Sequence, residues 1–206
     1  MLLDLTEILR CPADHDEAGL VCVPLESAGP EVVRGVLGCP ACRAEFPIAD
    51  GVADFRDPAR RRTEAPARGE GAAAAGPLTA EAAEAFLGLA GPGGCVLLAG
   101  AAARLAGELA ARVPGVRVVC VNAPEGAPRS AAAAYVLCEG VLPVKSSRMR
   151  GVVLGADSAA PPWPAEGARL LPGGLRLVVE GAAADVPGVV EMARGAGVTV
   201  WEKRAR

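Results

Sequence analysis

Seven cysteines and one histidine carry most of the chemistry this chain could do. Cys39-Pro-Ala-Cys42 follows Gly38, and two thiolates separated by two residues can turn back on one metal ion. A tetrahedral site needs a second pair, and Cys11-Pro12-Ala13-Asp14-His15 repeats the Cys-Pro opening upstream. The residue equivalent to Cys42 is there Asp14, so His15, one step further on, or Asp14 itself would join Cys11, Cys39 and Cys42 as fourth ligand. Zinc suits such a donor set. Two other readings stand beside this one: a ribbon that folds without metal, and a thiol redox pair. Redox pairs of this spacing open a helix, which lowers the thiolate pKa, whereas Phe46-Pro47 soon after Cys42 argues for extended chain. Cys22 lies in Leu20-Val-Cys-Val23, which alternates like a strand. Cys95, Cys120 and Cys138 lie in or beside apolar runs, where thiols pack as small hydrophobes.

The elements that would hold these groups fall into three regions: a β-rich ribbon over 1–57, a Pro, Gly, Ala and Arg rich linker over 58–76, and an α/β domain over 77–206. In the ribbon, Arg43 to Ile48 is extended and Ala49-Asp50-Gly51 signals a turn. In the larger domain Thr79 caps a helix from Ala80 to about Ala90, and Val96-Leu-Leu-Ala99 reads as a buried parallel strand that turns at Gly100. A helix bearing Leu105 and Leu109 follows, stopped by Pro114-Gly115, and Val116 to Val121 is a second buried strand. The stretch Ala123-Pro-Glu-Gly-Ala-Pro128 cannot sustain a long helix, so the next crossover shrinks to a turn or to Ser130–Ala134 before a strand from Tyr135 to Cys138. The fold class is therefore a mostly parallel Rossmann-like sheet with shortened crossover helices, preceded by the ribbon. Val186 to Gly195 suits a last helix, and Val198 to Lys203 an edge strand.

Composition narrows the functions. Hydrophobic residues make up 51% of the 206, enough for a packed core, but aromatic residues only 3%, too few for base-stacking platforms. The net charge of −3 argues against a broad nucleic-acid surface, and RNA contact is expected only if Arg60-Arg61-Arg62 and Arg68 in the linker meet phosphates. No apolar run approaches the roughly 20 residues that span a bilayer, and the N-terminus lacks a signal-peptide pattern. No membrane partner is expected, and the expected location is cytoplasmic.

Two resemblances sharpen this. Leu5-Thr-Glu-Ile-Leu-Arg-Cys-Pro, together with Gly38-Cys-Pro-Ala-Cys-Arg-Ala-Glu-Phe-Pro-Ile-Ala-Asp-Gly-Val, resembles the small zinc-ribbon family that activates tRNA- and rRNA-modifying methyltransferases. Asp14 departs from that family's four-cysteine pattern. Cys95 to Asn122 resembles the class I S-adenosylmethionine-dependent methyltransferases, and Leu170-Leu-Pro-Gly-Gly-Leu-Arg-Leu-Val-Val179 resembles a turn and strand that build their sheet. That resemblance implies a first strand ending in an acid, a turn with three alternating glycines, and a second acid for the ribose hydroxyls. Here Leu98 stands at the first acid, Gly100 is the one glycine left, Ala101-Ala102-Ala103-Arg104 fills the turn, and Asn122 replaces the ribose acid. Glu139 matches the acid that meets the adenine amine. Any surviving cofactor grip would thus use Gly100, Ala102, Asn122 and Glu139. The combined losses of backbone freedom, charge and space lead us to expect weak or absent S-adenosylmethionine binding, and no catalytic residue is assigned; Asp157, past the fourth strand, reads as a turn aspartate rather than a base.

The function expected from the sequence is a non-catalytic methyltransferase-like protein, acting as a binding or scaffold protein. Its ribbon would pack on the second domain in cis or dock a protein partner, a methyltransferase or a translation-related protein. An active methyltransferase with an atypical cofactor loop is the first alternative, and an activator subunit of a separate methyltransferase the second.

Overall fold

The computed structural model describes residues 1–63, 76–181 and 185–205. Its centre is a run of parallel strands whose apolar sequences match their burial on both faces: β5 (Cys95–Ala99), β6 (Arg117–Val121), β7 (Ala133–Leu137), β8 (Gly151–Leu154) and β9 (Arg176–Glu180). They lie side by side in the order β7-β6-β5-β8-β9. Numbered from β5, this is the doubly wound order 3-2-1-4-5, which reverses direction between β5 and β8.

The ribbon does not sit apart from this sheet. Four antiparallel strands, β1 (Val21–Ala28), β2 (Glu31–Gly38), β3 (Glu45–Ala49) and β4 (Val52–Asp54), continue it outward, and β4 pairs in parallel with β7 through Val52↔Tyr135, Ala53↔Val136 and Asp54↔Leu137. The β3–β4 turn is the predicted Ala49-Asp50-Gly51 signal: Asp50 and Gly51 have φ of 50° and 74°, the pair of left-handed residues that a two-residue hairpin takes. At the far end β11 (Val198–Lys203) is antiparallel to β9, and β10 (Val189–Gly195) closes the sheet as its eleventh strand. Both outermost strands are irregular, with register shifts at Pro24/Glu26 and Glu26/Ser27 in β1 and at Glu191/Ala193 in β10.

The last element corrects the sequence reading. Val186 to Gly195 contains no helix; its main part is β10, and β11 is an internal strand rather than an edge. The Gly-Ala-Gly at 195–197, with Ala196 and Gly197 at φ 48° and 75°, makes a tight hairpin turn. Most of β10 is exposed on both faces, so no two-residue alternation marked it as a strand. The predicted linker also begins differently, since 58–63 form a short helix, α1 (Pro58–Thr63); the remaining linker residues 64–75, Arg68 among them, lie outside the described residues.

Each face of the sheet carries a core. One is covered by α2 (Ala80–Leu87), a 3-10 turn over Gly100–Leu105 and α3 (Ala106–Arg112), which bury Ala83, Leu87, Ala106 and Leu109 on Leu98, Val118, Cys120 and Val178. Thr79 caps α2 as read from sequence, its Oγ1 accepting from Ala82 N–H at 3.1 Å. The other core is shared by ribbon and α/β regions: Leu5, Leu9, Leu37, Phe46, Ile48 and Phe55 pack with Val121, Val136, Leu142, Val144 and Leu170. The crossover from β6 to β7, residues 122–132, has no helix, and α4 (Trp163–Arg169) precedes β9.

Candidate metal centre and strand-end cleft

The two cysteine-bearing loops meet beneath the ribbon. Cys39 follows β2 in a tight turn closed by Cys39 N–H to Ala44 O at 2.9 Å and Arg43 N–H to Cys39 O at 2.9 Å, with Arg43 at φ 62°. Cys11 follows the first 3-10 helix, Leu3–Glu7, and is held by its N–H to Ala18 O at 3.0 Å. Cys11, His15, Cys39 and Cys42 converge so that one ligand atom from each lies within 4.8 Å of the others. Cys11 Sγ and Cys42 Sγ are 3.7 Å apart, and Cys39 Sγ is 3.5 Å from His15 Nε2. Around a tetrahedral zinc with bonds of about 2.3 Å to sulfur and 2.0–2.1 Å to nitrogen, those separations would be about 3.8 and 3.5 Å. The donor spacing fits the ion. His15 Nδ1 lies 2.6 Å from Asp16 O, a contact that places the ring proton on Nδ1 and leaves Nε2 facing the thiols, as a metal-bound imidazole requires. Asp14, weighed as the alternative ligand, is exposed and stands outside the cluster.

The thiols are unequal. Burial pushes the Cys11 thiol up to about 12, with Cys42 and Cys39 adding to the rise. At Cys39 burial also opposes ionisation, but the backbone N–H groups of Cys42 and Ala41, with the neighbouring thiols, outweigh it and bring the thiol down to about 7. Three thiols and an imidazole crowded in this way favour a cation that would let all three ionise. Cys120 and Cys138 are buried in the cores with thiols pushed up by desolvation, in keeping with packing roles, and Cys22 is half-buried against the shared core.

At the carboxyl ends of β5, β6 and β7, every residue named as a candidate cofactor contact is already engaged. Gly100 takes φ 57°, as its glycine identity suggests, but the space above it holds the Asp157 carboxylate, whose two oxygens accept from Ala101 N–H at 3.1 Å each. A Cβ placed on Gly100 would collide with that carboxylate. Ala102 is fully buried in the core. Arg104 holds the same turn, donating from Nη1 to Ala101 O at 2.9 Å and to Glu180 Oε2 at 3.0 Å, and from Nη2 to Leu78 O at 2.9 Å. Asn122, at φ 49°, clasps β7 instead of projecting outward: its Nδ2 donates to Cys138 O and its Oδ1 accepts from Cys138 N–H, both at 3.0 Å. Glu139 forms a surface ion pair with Arg60 of α1 at 3.0 Å.

Comparison with known proteins bears on the two halves differently. The Trm112p-like protein family matches residues 3–51. These residues are Trm112-like. Among solved structures, the complex between the Haloferax volcanii Trm112 methyltransferase activator and a putative methyltransferase is 18% identical, covering 49% of this chain and 50% of that chain with a TM-score of 0.40. The antibiotic-resistance methyltransferase Kmr is 16% identical, covering 63% of this chain and 94% of that chain with a TM-score of 0.43. Geranyl diphosphate methyltransferase in complex with SAM is 21% identical, covering 48% and 46% with a TM-score of 0.37. The chain thus spans about half the length of the first and third of these. No curated protein matches it. All three overlaps are partial, and the fold class, a methyltransferase-like α/β sheet, is carried by the strand order itself. The Trm112-like residues contribute β1, β2 and β3 to that sheet, the four clustered ligands, and part of one core, and β4 follows directly after them.

Sequence reasoning found all four clustered residues and left Asp157 as an unremarkable turn residue. Its contact with Ala101 spans 56 positions, and no local pattern announces it. No described helix is long and apolar enough to cross a membrane.

Proposed function

We propose that this protein is a methyltransferase-related binding protein. Its Trm112-like region, held together by a structural zinc, serves in cis as the fixed companion of a sheet that no longer transfers methyl groups. The observation that carries this reading is the Asp157 carboxylate seated over the Gly100–Ala101 turn. A glycine turn at this corner serves nucleotide binding by letting backbone approach the ligand closely. Here a protein carboxylate fills that approach, and its negative charge opposes another anion, such as the cofactor's own carboxylate. Asn122 and Glu139 spend their polar atoms on Cys138 and Arg60, so the gripping groups would have to be released before they could bind anything.

The cis arrangement is supported by β4. It pairs with β3 on one side and β7 on the other, so no edge of it is left for a separate methyltransferase. The Haloferax volcanii Trm112 methyltransferase activator is found in complex with a separate putative methyltransferase; in this chain such a companion would be covalently attached. Zinc is supported by the match of donor spacing to a tetrahedral site, whereas a redox pair would leave the third thiol and the imidazole unexplained.

Calorimetric titration of the full chain with S-adenosylmethionine tests the reading. We expect no saturable heat. Micromolar binding, or methyl transfer from labelled cofactor to any substrate mixture, would favour the active enzyme instead.

A further inference from the structure

The helical face of the sheet is covered along only part of its width. One in-register row crosses it: Val200, Val178, Val153, Leu98, Cys120, Tyr135, Val52 and Ala49. The first five are buried; Tyr135 and Val52 are half-buried and Ala49 is exposed. A parallel crossover normally lays a helix over such a face, but residues 122–132 pass from β6 to β7 without one. Where it would lie is a cavity of about 400 Å³ at the junction of the Trm112-like and methyltransferase-like parts. That volume is within the range of small-ligand sites, which favour such junctions.

Its floor is apolar, built from Pro47, Val52, Tyr135 and Leu137, and three arginines line its walls: Arg56, which is paired with Asp54, and Arg61 and Arg129. Arg129 lies with its guanidinium carbon 4.9 Å from the centroid of the Tyr135 ring and donates from Nη1 to Asp50 O at 3.1 Å. Arg61, on α1, reaches Glu45 O from Nη1 and Nη2 only at 3.4 and 3.5 Å, at the margin of hydrogen bonding, and its Nε is buried with no partner among the described residues. Neither arginine makes an ion pair with a described carboxylate. Of the two aspartates that line the cavity, Asp54 is held bidentately by Arg56 at 3.0 and 2.7 Å, and Asp50 is exposed in the β3–β4 turn. The cavity therefore joins a flat apolar floor to two cations whose charge the described protein does not neutralise.

We infer that this cavity binds a small organic anion, with an apolar or aromatic body on the Tyr135–Val52 floor and one carboxylate, sulfonate or phosphate head between Arg61 and Arg129. The site borders the strand ends at Ala123, Pro124 and Leu137, but Gly100, Asn122 and Glu139 are not among its lining residues. The proposed contacts, Tyr135, Val52, Arg61 and Arg129, include none of the groups that would grip S-adenosylmethionine.

The dye anilinonaphthalene sulfonate, an aromatic body with one anionic head, probes the site in the full-length protein, with neutral phenylnaphthylamine as comparator. We expect saturable one-to-one binding of the anionic dye. Charge-assisted hydrogen bonds of ordinary strength predict that R61Q and R129Q each weaken it by about tenfold or more, while binding of the neutral dye is unchanged. L25S, which removes an exposed apolar side chain of β1 that does not line the cavity, should leave the anionic dye bound as in wild type. If R61Q alters the unfolding midpoint, R61K decides: it keeps the charge and should recover binding to within about threefold of wild type. Binding unmoved in the R61Q/R129Q double variant, binding lost with L25S, or R61K binding no better than R61Q would each overturn the assignment, as would the absence of saturable binding in wild type.

Discussion

Cys42 is the one thiol of the four-residue cluster that is exposed, so it can be changed without opening a cavity in a core. Metal analysis of protein purified without chelator should find one zinc per chain, and C42S should drop well below that with little effect on packing. Chelation of the wild type should lower its unfolding temperature, since an ion bound only by the folded state stabilises it by mass action. An unchanged midpoint in chelator with zinc demonstrably removed would mean that the ribbon stands without its ion. Asp157 belongs to the same scale. Its two acceptor contacts are partly exposed, so D157A should cost at most about 1 kcal/mol in urea unfolding. The four clustered residues were legible because the Cys-x-x-Cys spacing is a local pattern and His15 stood four positions after Cys11. Asp157 and Asn122 were not, because the partners that define their roles, Ala101 and Cys138, come to them only through the pairing of strands.

At the level of elements, two ion pairs fasten the sheet to what covers it. Glu180, 1% exposed at the end of β9, accepts from Arg104 and from Leu78 N–H at 3.1 Å, tying the start of α2 to the turn before α3. Removing the acid would leave Arg104, only 13% exposed, as an uncompensated cation, so E180A should destabilise by about 3–5 kcal/mol in equilibrium unfolding. Glu166 of α4 accepts from Leu142 N–H at 2.8 Å and from Arg169, which in turn donates to Leu142 O and Val144 O. Val144 bridges to Leu9, so this pair fastens the segment on which the Trm112-like region rests. Burial opposes ionisation of Glu166, but the hydrogen bonds from Arg169 and Leu142 outweigh it and hold the carboxyl below the usual range. A depressed carboxyl stabilises the fold fully above its unfolded pKa, near 4.5, and that contribution fades as pH falls through the folded value. E166Q should therefore flatten the loss of stability with acid in this window, read from urea midpoints as a function of pH. The buried parallel strands could be read directly from their apolar runs. β10 could not, because a strand exposed on both faces has no burial pattern to display, and its helix-like run of Val, Glu, Met, Ala and Arg pointed the other way.

For the whole molecule, the expected boundary near residue 57 separates sequence patterns, while the core and the sheet run through it. Leu37, Phe46 and Phe55 share one buried cluster with Val136, Leu142 and Leu170. We expect urea unfolding followed by far-ultraviolet circular dichroism and by tryptophan fluorescence to give coincident single transitions, though both tryptophans, Trp163 and Trp201, lie in the α/β part. Two separated transitions would show that the parts fold independently. Deleting residues 1–57 would bare the β7 edge together with Val136 and Leu142, and the remainder should be recovered mainly in the insoluble fraction. The joining strand, β4, has only three residues, too few for any periodicity, which is why the sequence suggested packing in cis without indicating a shared sheet.

A sheet with an unclosed border at each end could in principle grow without limit, one molecule's β10 laid against the next molecule's β1. The kinks at Pro24–Ser27 and Glu191–Ala193 leave neither border a long straight run of free donors and acceptors. Pro24 withholds one amide hydrogen as well. These small irregularities thus act as end-stops, and they allow exposed valines, Leu25 and Met192 to sit on the outermost strands without templating a fibre.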